Sequence, residues 1–173
     1  MKAFVFQRAK AVWEQGREKE KNLELAFRTV LPKGEGTLYL AASTLYRLWV
    51  NGKFAGAGPA RAAHGFYNVD KVALEDMLVR EENVVVIEVL GCNVNTYDTL
   101  DQPSFLTAEI VRDGKAAAWT GGRFFQAYNL HQRVQKVQRY SFQRAFVECY
   151  RLRAKSRSFY EKADWDAEDS VIT

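Results

Sequence analysis

Hydrophobic and polar positions along this chain change over short distances, and turn residues interrupt them often. Phe4–Phe6 and Ala11–Trp13 are brief apolar runs. Residues 22–31 (NLELAFRTVL) form a longer run, closed by the Pro32–Gly36 cluster, which reads as a turn. Thr37–Ser43 reads as the next strand. Residues 45–51 (LYRLWVN) alternate, with Leu45, Arg47 and Trp49 on one face and Tyr46, Leu48 and Val50 on the other. Asn51-Gly52 then signals a tight hairpin, because both central residues of a type I′ turn need positive φ. Residues 83–90 (NVVVIEVL) give the clearest strand. Four consecutive β-branched residues disfavour helix and suit a strand buried on both faces.

Further strands are expected at Gly65–Asp70, Phe105–Arg112, Lys115–Thr120, Phe124–Tyr128 and Phe146–Leu152, with Asp113-Gly114 as a second hairpin signal. Leu74, Met77 and Leu78 have helical spacing and predict one or two helical turns. Nine or ten short strands joined by hairpins indicate an all-β fold, an antiparallel two-sheet sandwich of the jelly-roll or galactose-binding-like kind. The lack of alternating helices argues against a parallel α/β sheet.

Composition narrows this little. At 173 residues the chain fits one domain, and 47% hydrophobic with 27% charged residues is ordinary for a globular protein. The net charge of +4 is too mild to indicate a nucleic-acid binder. No apolar stretch is long enough for a membrane helix, and the N-terminus has no secretory core, so a cytoplasmic location is expected. Cys92 and Cys149 form no Cys-x-x-Cys pair, so a zinc ribbon is excluded and buried free thiols are expected. No metal ligand set and no cofactor motif is evident, and no nucleophile elbow, metalloprotease helix or phosphate loop occurs. His64 and His131 each stand alone.

Charge is uneven along the chain. Residues 131–157 hold eight Lys/Arg and one acid, Glu148, interleaved with Tyr140, Phe142, Phe146 and Tyr150. That pattern can dock an acidic neighbour, and it can also stack single-stranded nucleic acid. Residues 161–169 hold five acids against Lys162. The expected division is a sandwich over 1–157 and a linker, or the start of a further domain, over 158–173.

The densest polar cluster follows the strongest strand, at residues 91–104. Asn93, Asn95, Tyr97, Asp98, Asp101 and Gln102 have the chemistry of a carbohydrate contact, with paired hydrogen bonds to hydroxyls and an aromatic face. Arg61 and His64, after Gly58-Pro-Ala, join them as candidates. The same Asn and Asp side chains can instead satisfy their own backbone.

Residues 45–61 (LYRLWVNGKFAGAGPAR) resemble the signature of the N-terminal β-sandwich of bacterial α-L-rhamnosidases. Residues 82–89 (ENVVVIEV) are similar to the next hallmark strand, with Glu82 where a glycine often stands. Residues 91–97 (GCNVNTY) and 101–110 (DQPSFLTAEI) continue the likeness, which spans about Trp13 to Leu152. The Asn-Gly hairpin is shared with other galactose-binding-like sandwiches, including those of β-galactosidases and β-glucuronidases. The resemblance implies an accessory domain of an inverting glycoside hydrolase, structural or carbohydrate-binding. Inversion needs two carboxyl groups about 6.5–9.5 Å apart. In that family they lie in a separate (α/α) barrel, so no catalytic residue is expected in this chain. The partners implied are the other domains of such a hydrolase and rhamnose-containing oligosaccharides.

Overall fold

The computed structural model describes residues 4–63, 65–152 and 156–165. Nine strands, all paired antiparallel, form two sheets. One sheet has the order β4(Lys53–Gly58), β3(Leu45–Val50), β6(Glu82–Gly91), β1(Leu23–Pro32), β9(Gln126–Tyr128). The other runs β5(Asp70–Ala73), β2(Thr37–Ala42), β7(Leu106–Arg112), β8(Lys115–Trp119). The two-sheet sandwich expected from the alternation is therefore the observed architecture.

Period-two patterning fills the space between the sheets. Leu25 and Phe27 of β1, Tyr46, Leu48 and Val50 of β3, and Val85, Ile87 and Val89 of β6 face Leu38 and Leu40 of β2 and Leu106, Ala108 and Ile110 of β7. Both hairpin signals hold. Asn51 and Gly52 have φ of 52° and 77°, and Asp113 and Gly114 have 49° and 72°. Asn51 also does packing work. Its Nδ2 donates to Asn83 Oδ1 at 2.9 Å, and its Oδ1 accepts from the Val84 amide at 3.0 Å. The hairpin is thus tied to the start of β6.

Several elements differ from expectation. Phe146–Leu152 is no strand, and only isolated bridges occur there, Arg133 with Tyr150 and Arg139 with Phe146. Of its residues Tyr150 reaches the sheet, through Glu24, while Val147 and Leu152 are exposed. The strand expected at 65–70 begins only at Asp70. Leu74 starts a single turn, with its carbonyl accepting from the Met77 and Leu78 amides. Cys149 is exposed because no strand encloses it, whereas Cys92 is buried as expected.

The helix α1(Ser156–Glu161) crosses the boundary that composition suggested at 157. Phe159 is fully buried against Ala26, Val84 and Val86, on the outer face of the five-stranded sheet. Tyr128 and Trp165 meet its ring edge-on, at 5.3 and 4.9 Å. Arg28 reaches across from β1 and donates to the carbonyls of Phe159, Lys162 and Ala163, where the open end of a helix carries partial negative charge. Gly52 belongs to this arrangement too, since a Cβ there would stand 2.4 Å from Glu161 Cγ. Residues 166–173, the rest of the acidic tail, lie outside the described residues.

Because β6 is apolar on both faces, removing its outer cover leaves a cavity over Val84 and Val86. Phe159→Ala is expected to lower the unfolding free energy by about 3–5 kcal/mol in urea denaturation. A change below about 1 kcal/mol would show that the helix is only loosely laid on the sheet.

Candidate functional site

The expected polar loop is in place after β6, but its side chains divide into two groups. Asn93 is buried, with φ of 50°. Its Nδ2 donates to the Glu18 and Glu20 carbonyls and to Ser104 Oγ, so the side chain clamps the N-terminal segment to the loop. Asn95 Oδ1 accepts from the Asp101 amide at 2.9 Å and closes the loop on itself. Gln102 donates to the Ser43 carbonyl and accepts from Tyr67 Oη at 2.7 Å. These side chains serve their own backbone and neighbours.

The outward group is Arg61, Tyr97 and Asp98. Arg61 Nη2 lies 3.0 Å from Asp98 Oδ2, and its guanidinium stands 5.2 Å from the Tyr97 ring centre. Asp98 also accepts from Thr96 Oγ1. Asp101 is exposed, and His64 lies outside the described residues.

Tertiary structure brings the basic segment to the same edge. Residues 139–146 fold back, with Arg139 donating to the carbonyls of Asn95, Phe142 and Arg144. The Tyr97 amide donates to the Gln143 carbonyl at 3.1 Å. The result is an open groove lined by Tyr97, Asp98, Tyr140, Arg144 and Phe146. Tyr97, Tyr140 and Phe142 are 64%, 79% and 80% exposed, three aromatic rings held at one edge of the sandwich.

A second cluster was not singled out from the sequence. On the outer face of the five-stranded sheet, Arg47 of β3 sits between two carboxylates. Its Nη2 lies 2.9 Å from Glu24 Oε2 on β1, and its Nε 2.9 Å from Glu88 Oε2 on β6. Trp49 Nε1 and Tyr160 Oη both donate to Glu88. Tyr150 Oη donates to Glu24 and accepts from Arg133 Nη1 at 2.7 Å. The Arg47 and Arg133 guanidiniums lie 5.3 and 5.4 Å from the Tyr150 ring centre. Burial raises the pKa of Glu24, more than Arg47 lowers it. Burial also works against the charge of Arg47, but Glu88 and Glu24 outweigh it and hold the guanidinium firmly protonated. The one signal for this cluster in sequence is the alternation that places Arg47 and Trp49 together. The contacts that Glu24 and Glu88 make with Arg47, Trp49, Tyr150 and Tyr160 span 23 to 126 positions and follow only from strand order.

No family model matches the chain, and no curated protein matches it. Solved structures do. The GH78-family rhamnosidase of Bacillus sp. GL1 superposes with a TM-score of 0.79 at 25% identity, over 91% of this chain and 17% of that one. The α-L-rhamnosidases of Aspergillus terreus (TM-score 0.56, 15% identity, 84% of this chain, 18% of that one) and Streptomyces avermitilis (0.51, 12%, 79%, 14%) share the fold. The chain thus corresponds to a domain-sized portion of these proteins, under a fifth of each of their lengths.

Two carboxylates should respond to pH with opposite sign. Glu24, with its pKa raised, binds a proton more readily in the folded chain. It therefore adds stability as pH falls through its folded pKa and removes it as pH rises again. Glu20 is held at about 2 by hydrogen bonds from Arg17 and Gln135, against about 4.3 when free. Its contribution is present above the free value and is lost as pH falls toward 2. Side-chain carboxyl NMR titration should give a Glu24 midpoint above the free value and a Glu20 midpoint below it.

Proposed function

We propose that the chain is a non-catalytic β-sandwich domain of an α-L-rhamnosidase-like glycoside hydrolase. Its aromatic, basic edge seats against other parts of that hydrolase. The observation that carries this reading is the match to the Bacillus rhamnosidase, nearly complete for this chain and covering a small part of that one. The exposed rings of Tyr97 and Tyr140, which line one groove, and of Phe142 support docking, since exposed aromatics grouped at one edge mark contact surfaces. Arg139 and Arg144 give the edge a positive character that suits an acidic partner surface. Part of the basic segment is already engaged inside the domain. Arg133 is buried and bonded to Asn22 and Tyr150, which leaves less charge for the nucleic-acid reading.

The test has two parts. The isolated chain is expected not to hydrolyse an aryl α-L-rhamnoside. Turnover that disappears with Glu24→Gln or Glu88→Gln, with contaminating enzyme excluded, would overturn the non-catalytic role. The coding sequence adjoining the chain is expected to encode an (α/α)-barrel polypeptide that binds it. Tyr140→Ser with Phe142→Ser should weaken that association by about tenfold or more in a pull-down titration. Unchanged association would overturn the edge assignment.

A further inference from the structure

The four-stranded sheet ends at β8, and no strand of the sheet pairs with its outer side. Such an edge offers free N–H and C=O groups to any strand that approaches. Lys115–Trp119 carries one charge and no proline, so its own sequence does little to discourage one. The N-terminal segment occupies this edge instead. Gln7 Nε2 donates to the Gly114 carbonyl at 3.1 Å, and Gln7 Oε1 accepts from the Ala116 amide at 3.0 Å. One side-chain amide thus supplies the donor and the acceptor that a neighbouring strand would supply. Further along, the Lys10 amide donates to the Thr120 carbonyl at 3.0 Å, and the Lys10 carbonyl accepts from Thr120 Oγ1 at 2.7 Å.

What holds this segment down is a carboxylate on the strand beside β8. Glu109 of β7 is 1% exposed. Its Oε1 accepts from the Gln7 amide at 3.0 Å, and its Oε2 from the Arg8 and Ala9 amides at 3.1 and 3.3 Å. Successive backbone N–H groups turned on one anion form an anion-binding nest. Among the described residues no Lys or Arg forms an ion pair with Glu109, so those amides are its compensation. An uncompensated carboxylate at that depth is costly, so the segment and Glu109 hold each other. The other contacts are lighter. Phe4 stacks on Tyr39 at 4.8 Å, and the Arg8 guanidinium stands 5.0 Å from the Trp119 ring centre. Residues 4–10 contribute to neither hydrophobic core, and Val12 and Trp13 are the first that pack against one. The segment can therefore lift while the sandwich stays closed, with Val12 bridged to Leu106 as its fixed end.

We infer that residues 4–10 are a guard strap, latched by Glu109, that keeps the β8 edge from pairing with the β8 edge of a second copy of this chain. A second copy fits because a strand edge is its own complement in an antiparallel, two-fold pair. Centred on Ala117, that pairing sets Lys115 opposite Trp119, so the one charge of each strand does not face its like.

The test is amide hydrogen exchange and sedimentation velocity on the full 173-residue chain. In the unmodified chain the Gln7, Arg8 and Ala9 amides are expected to exchange at least about tenfold faster than those of Val85 and Ile87. Both Glu109 oxygens accept an N–H, so Glu109→Gln must turn its NH2 against a donor. It should speed exchange at Gln7–Ala9 by a further tenfold or so, leave Val85 and Ile87 unchanged, and bring self-association that the unmodified chain lacks at the same concentration. Ala116→Pro added to Glu109→Gln removes an N–H that points out of the sheet, and should return sedimentation to that of the unmodified chain. Equal exchange at Gln7–Ala9 and Ile87 in the unmodified chain, or loss of the whole fold in Glu109→Gln, would overturn the strap as a separate unit. A Glu109→Gln chain that opens the strap yet sediments as before would overturn the guard role, as would self-association that survives Ala116→Pro.

Discussion

The central strand β6 is apolar on both faces, and the rest of the molecule is arranged around that constraint. One face, Val85, Ile87 and Val89, closes the space between the two sheets. The other, Val84 and Val86, would lie against water if the sandwich ended with its nine strands. Burying a Val side chain is worth about 1.5–3 kcal/mol, so a cover over two of them is a substantial term. Phe159 supplies it, and Arg28 secures the cover by binding the carbonyls that the helix leaves open.

That same cover organises the polar half of the face. Glu88 follows Val86 on the outer side of β6 and receives Tyr160 from α1, Trp49 from β3 and Arg47. Isolated, a carboxylate this buried would be costly. Here the ion pairs, the indole and the phenol satisfy it together. The network orients Arg47, and its position leaves a cleft between Leu45 and Leu90 with a polar floor. Packing on one half of the sheet and chemistry on the other are parts of one arrangement.

The aromatic edge and that cleft have different physical characters. The edge at Tyr97, Tyr140 and Phe142 is open, aromatic and flanked by arginines, suited to a broad contact. The cleft at Arg47 is small, charge-balanced and partly apolar. Chemistry-bearing residue types are common to both, and shape separates them. The polar loop shows why composition alone misleads. Asn93 and Gln102 are as well suited to sugar hydroxyls as any amide, yet they hold the Glu18–Glu20 and Ser43 backbone.

What the sequence determined by itself was the local periodic content. Alternation at residues 45–51 placed Arg47 and Trp49 on one face, β-branching marked 83–90, and the Asn-Gly and Asp-Gly pairs set two hairpins through their tolerance of positive φ. These depend on neighbours in the chain, so they are visible without the fold. Tertiary structure decided which residues meet across long separations. Glu24, Arg47, Glu88 and Tyr150 converge only because β1, β3 and β6 lie side by side and a later segment folds over them. The helix at 156–161 was hidden for the same reason. Its apolar residues are too few to declare a helix, and they become a cover only once a sheet exists with an apolar face to receive Phe159.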